Sequence, residues 1–203
     1  TNDWPWTAAG PDSPRAKDFP RYMDTAGENA RGIHADLLLK DAKDVSPDGL
    51  IALAFDSYLP AFATLIPQLV SAYDALPKGD AQRETLAGPV DLLRHWDYRW
   101  SADSEATSLA VFWGDTLWQD VGAFAQAERI NVPDYIATRV KPETKLAALS
   151  AATARLSRDF GAWRVPWGRI NRFQRIDDAI EPHFDDAKPS RPVPFKSAQW
   201  GSL

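Results

Sequence analysis

The sequence predicts a mainly α chain with irregular, proline-rich ends and little β structure. Three observations carry that reading. Apolar residues recur at the helical period of about 3.6 through the middle of the chain. Helix-start chemistry precedes those runs at Ser46-Pro47, at Ser104 and at Lys141-Pro142. Prolines crowd both ends, at Pro5, Pro11, Pro14 and Pro20 and again at Pro182, Pro189, Pro192 and Pro194. Each removes a backbone donor and pushes the preceding residue out of helix.

Residues 1–30 therefore read as an extended arm, ordered only by packing on something else, with Trp4, Trp6, Phe19 and Tyr22 as its anchors. The helical stretch spans 31–163 and opens with an amphipathic stripe of Ile33, Leu37 and Leu38. Ser46-Pro47 starts a long helix whose apolar face runs from Leu50 to Leu76, with a kink or break expected at Pro60 and Pro67. A shorter helix from about Ala81 to Leu93 is expected to be interrupted at Gly88-Pro89. Trp96-Asp97-Tyr98 reads as a turn. Ser104 caps a helix whose face includes Leu109, Trp113, Leu117 and Phe124. Pro133 and Pro142 flank a linking segment, and Pro142-Glu143 opens a last helix that stops at Gly161. Residues 164–203 read as a short strand around Val165–Phe173 followed by an irregular tail.

Bulk composition narrows the function classes. With 203 residues, 44% of them hydrophobic, the chain can bury a sizeable core. A net charge of -5 without a basic stripe argues against binding nucleic acid. Cysteine is absent, which excludes disulfides and thiolate metal sites. Apolar runs are broken well before the roughly 18 residues of a membrane span.

Familiar catalytic and metal signatures are missing. The three histidines, His34, His95 and His183, show no i,i+4 pairing and no HExxH, so surface or capping roles are expected for them. Neither a GxGxxG nor a GxxxxGK[ST] phosphate loop occurs, and there is no GxSxG elbow. No cofactor or metal is assigned. Thr1 invites a reading as an N-terminal nucleophile using its own α-amine as base. The helical pattern that follows lacks the strand such a nucleophile begins, and a cut chain explains Thr1 more simply.

The most informative segment is Asn2-Asp3-Trp4-Pro5-Trp6, which leads through prolines to Arg31-Gly32-Ile33. It resembles the catalytic β-chain of the penicillin acylase family, the N-terminal-nucleophile amidohydrolases. Further matches follow in order: Pro67 inside the long helix, Leu93-Arg94-His95-Trp96-Asp97, and Trp167-Gly168 with Asn171-Arg172. For Trp96, Trp113 and Trp167 plain core packing is the simpler expectation, and for Arg31 a helix-terminal ion pair is the alternative.

The resemblance implies the helical portion of an αββα hydrolase β-chain that begins after its nucleophile, a serine at the start of the β-chain. It implies cleavage of a linear amide, in a β-lactam side chain, an acyl-homoserine lactone or a related N-acyl compound. By the same resemblance Asn2 donates to the oxyanion and Arg31 orients the nucleophile's surroundings. Some members bind structural calcium through an aspartate in a region where Asp18 stands. The implied partners are the rest of the parent's α and β chains and a small N-acyl substrate, with no nucleic acid and no membrane, in the periplasm or outside the cell. An internal piece of that kind is expected to be inactive alone. A second reading stays open: a self-contained helical binding or scaffold module, with nine tryptophans available to line a groove.

Overall fold

The computed structural model describes residues 12–20, 22–23, 28–196 and 198–203. Helix dominates: of the described residues 58% are helical and 3% are strand. Among the described residues there are eight α-helices, α1 (Ala30–Leu39), α2 (Pro47–Ala54), α3 (Pro60–Asp74), α4 (Ala81–Arg94), α5 (Glu105–Glu128), α6 (Val132–Arg139), α7 (Pro142–Phe160) and α8 (Trp167–Ile170). A two-residue strand, β1 (Arg172–Phe173), pairs antiparallel with β2 (Arg191–Pro192). A 3-10 turn, Ala198–Trp200, lies near the C-terminus. No described helix is long and apolar enough to cross a membrane.

The starts fall where the cap chemistry places them. Ser46 Oγ accepts from Gly49 N at 3.1 Å, and Ser104 Oγ accepts from Thr107 N at 3.0 Å. Each side chain satisfies one orphan donor of a first turn. Pro142 sits in the first turn of α7, and Gly161 ends that helix at φ 83, a left-handed conformation cheap only for glycine. Helix α5 is the long central element. Its Leu109, Trp113 and Leu117 are fully buried, whereas Phe124 is exposed.

Prolines behave in two ways. The long helix expected from Ser46 breaks before Pro60, because proline forces Leu59 to φ -122, ψ 83. The break is built in: Leu59 N donates to Tyr98 O at 2.8 Å and Trp100 N to Ser57 O at 2.9 Å. Pro67 stays inside α3 on its exposed face, and Pro89 stays inside α4, which runs uninterrupted through Gly88-Pro89. Gly88 lacks the Cβ that crowds a following proline ring, and the Trp163 ring fills the space beside it. The segment after Pro133 is helical, since Pro133 lies in the first turn of α6 and Asn131 caps it.

Three more expectations change. The Ile33 and Leu37 stripe of α1 points outward, and the buried residues are Ala30, Gly32 and His34. Phe19 and Tyr22 are exposed rather than anchoring, while Trp4 and Trp6 lie outside the described residues. The stretch from Val165 to Phe173 holds the short helix α8, with strand only at its end in β1.

The proline-rich tail is not loose. Trp200 is fully buried, stacked on Phe62 of α3 with ring centroids 4.7 Å apart and edge-on to Trp118 of α5 at 5.3 Å. Its indole Nε1 donates to Asp115 Oδ1 at 2.9 Å. Gly114 lets the ring approach α5, because a Cβ there would come within 2.8 Å of it. Trp96, Trp113 and Trp167 are buried in the core as expected.

Two stability predictions follow from this core. Trp200→Ala removes a large buried ring and leaves Asp115 short of a donor, so it is expected to cost about 3–5 kcal/mol, read from the urea midpoint of the chain. Lys145 is buried on α7, and its ammonium donates to the neutral Gln68 amide at 2.6 Å. Burial pushes its pKa below the usual lysine range. The unfolded chain therefore binds more protons at this site, and wild-type stability rises with pH there. Lys145→Met is expected to raise the melting temperature at neutral pH. That advantage narrows as alkaline pH lets wild-type Lys145 discharge, and thermal melts of both chains across pH check it.

Candidate functional site

Helix α1 carries Arg31 at its second position, half-buried. Its start is fixed from two sides. Asn29 caps it, accepting from Gly32 N at 3.0 Å. The Glu28 carbonyl just before it accepts from Asn131 Nδ2 of the α6 cap at 3.1 Å.

One turn further on, His34 is 1% exposed and holds the inner face of the helix. Its Nδ1 lies 2.7 Å from the Gly201 carbonyl and its Nε2 lies 3.1 Å from Asp56 Oδ1. Both partners are oxygen acceptors, and the ring is seated between them. Asp56, in the break between α2 and α3, also accepts from Tyr58 N at 2.9 Å and from Arg99 Nη1 at 3.0 Å. Burial by itself favours the protonated carboxyl. The Tyr58 amide, then Arg99, then His34 outweigh it and hold Asp56 below the ordinary carboxylate range.

The turn after α4 delivers Arg99 to this cluster. Trp96 Nε1 donates to Arg99 O at 3.0 Å, and Asp97 Oδ1 accepts from Arg99 N at 3.1 Å. The Leu93-Arg94-His95-Trp96-Asp97 element is thus a shaped turn that aims a cation. The Trp167-Gly168 and Asn171-Arg172 element is a clasp for the tail. Gly168 N donates to Ala102 O at 2.7 Å, and Asn171 Nδ2 donates to the carbonyls of Val193 and Phe195, each at 2.9 Å. Arg172 Nη2 donates to Ser190 O at 2.6 Å. Beside α1 runs a largely apolar groove of about 240 Å³, lined by Ala30, Ile33, Leu37, Tyr58, Ala61 and Thr64 among others.

Of the residues singled out from sequence, Asn2 and Thr1 lie outside the described residues and Arg31 is seated on α1. His95 and His183 are exposed, but His34 is a buried strut rather than a surface or capping residue. Its inward position follows from the outward turn of Ile33 and Leu37. Asp56, Arg99 and Gly201 carried no sequence signal beyond the Asp56–Tyr58 turn chemistry. Asp18 is exposed in a 3-10 turn, and no group of three or more His, Asp or Glu side chains converges among the described residues.

The described residues thus form a packed helical body with Arg31 seated at the start of α1. The family model for penicillin amidase matches residues 1–195, and the chain belongs to that family. Membership carries a hydrolase role acting on amide bonds.

Asp56 predicts a pH dependence. Its folded-state pKa is depressed, so the stability it supplies is present above the ordinary aspartate pKa of about 3.9 and is lost as pH falls through the lower folded value. Asp56→Asn lacks that term. The gap in urea midpoint between wild type and Asp56→Asn is expected to be wide at neutral pH and to shrink below about pH 4.

Proposed function

We propose that this chain is part of an amidohydrolase that cleaves a linear amide in an N-acyl compound through an N-terminal serine acyl-enzyme. Candidate substrates are the acyl side chain of a β-lactam, an acyl-homoserine lactone or a related amide. The observation that carries the reading is the family match, which spans residues 1–195.

In this reading the serine lies outside the 203 residues, on another stretch of the parent. Its hydroxyl loses a proton to its own α-amine and attacks the amide carbonyl. The carbonyl oxygen becomes an alkoxide, and the Asn2 side-chain N–H donates to it. A neutral amide suits the task, because it stabilises negative charge without offering a competing base. Asp3 is unsuited, since a carboxylate facing the alkoxide repels it. The tetrahedral centre collapses, the amine leaves with a proton, and water releases the acid from the acyl-enzyme. Arg31 orients the groups around the serine. The partners are the remaining parts of the parent's α and β chains, produced by self-cleavage of a precursor, and the enzyme works in the periplasm or outside the cell.

Asn2→Ala in the processed parent is expected to lower kcat by on the order of 10²–10³-fold, the usual loss for one oxyanion donor. Steady-state kinetics on chromogenic phenylacetyl and fatty-acyl amides measure it. Normal processing with an unchanged kcat would place the oxyanion hole elsewhere.

A further inference from the structure

We infer that Asp56 and His34 are positioning residues for Arg31, acting through helix α1; the inference rests on the role given to Arg31 above. Three observations support it. First, the apolar side chains of α1 are only partly covered: Ile33 and Leu37, which line the open groove, are 39% and 46% exposed, and Leu39 is 52% exposed. Hydrophobic contact through these side chains therefore does little to set the rotation of the helix about its axis.

Second, the inner face is set by directed bonds. His34 is held at both ring nitrogens, by a backbone carbonyl from the C-terminal turn and by a carboxylate from the α2–α3 break. Two such contacts in different directions leave the ring, and the turn that bears it, one orientation. Arg31 precedes His34 by three residues, so the two side chains are neighbours on the helix surface. A roll or shift of α1 would move the guanidinium with it.

Third, the charged and titratable groups facing His34 come from separate elements, and each is itself held. Asp56 receives the Tyr58 amide and the Arg99 guanidinium, whose Nη1 lies 3.0 Å from both carboxylate oxygens. The Tyr58 ring lies edge-on to the imidazole at 5.9 Å. The Gly201 carbonyl is presented by a glycine at φ 119 pressed against Pro60. None of these residues belongs to the oxyanion arm, so their effect on the reaction runs through the placement of α1.

The test is a double-mutant cycle in the processed parent enzyme, assayed on chromogenic phenylacetyl and fatty-acyl amides. Asp56→Asn keeps the side chain's shape and removes its charge, and His34→Gln is the second variant. Each is expected to lower kcat on the order of 10-fold and to change KM by less than about twofold. In an Arg31→Ala background the same changes are expected to cost less than about twofold, because the group they position is gone. Full additivity with Arg31→Ala would overturn the inference and leave the role of Arg31 standing, as would an unchanged kcat in both variants while Arg31→Ala is impaired. An Arg31→Ala enzyme with normal kcat would overturn the reading on which the inference rests, and the inference with it. If neither Asp56→Asn nor His34→Gln gives folded, processed enzyme, the cluster is a folding element and the inference fails.

Discussion

The burial of Trp200 is the contact on which the arrangement of the site depends. An indole is large enough that its loss would open a void between α3 and α5, and it has one polar atom that must find an acceptor when buried. Asp115 supplies that acceptor, with Gln199 Nε2 at 3.2 Å from the same oxygen and Lys196 Nζ 3.6 Å from the other. The seat is therefore both apolar and directional, and it fixes the 3-10 turn that ends at Trp200. Gly201 follows at once, and its carbonyl is delivered to His34 as a result.

From that point the structure is linked by polar contacts rather than by packing. The helical core around Phe62, Trp113 and Leu149 is close-packed and needs no help. Helix α1 lies at its margin, with little apolar area turned inward, so it is held by hydrogen bonds with fixed directions. Each such bond is worth only about 1 kcal/mol net, but direction is the useful property here. A greasy interface tolerates a helix rolling by tens of degrees, and an imidazole fixed at two nitrogens does not.

What could be read from the residues alone divides along the same line. Helix starts at Ser46, Ser104 and Pro142 were legible because a cap is a local event, complete within four residues. The positions of Trp96, Trp113 and Trp167 in the core were legible for a similar reason, since large rings are rarely left in water. The orientation of α1 was not. Its apolar residues suggested the opposite face, and the group that decides the matter is a carbonyl 167 positions away. Trp200 escaped notice because the aromatic residues of the proline-rich stretch, Phe184, Phe195 and Trp200, follow no period. Pro89 misled because the relief given by Gly88 and Trp163 is a tertiary effect. Of the site, the arm and Arg31 were visible as a family pattern, while Asp56 and Arg99 became meaningful only once the break before Pro60 brought them together.

The family match ends at residue 195, five positions before the indole that closes the core. The packed core of the described residues thus extends past the matched region. A recombinant chain trimmed to the matched region would keep every matched residue and lose Trp200. Phe62 and Trp118 would face solvent across the gap, and α1 would keep only one of the two acceptors that orient it. For expression, crystallisation or transplantation of this segment, the residues through the buried Gly201 and Ser202 have to be kept.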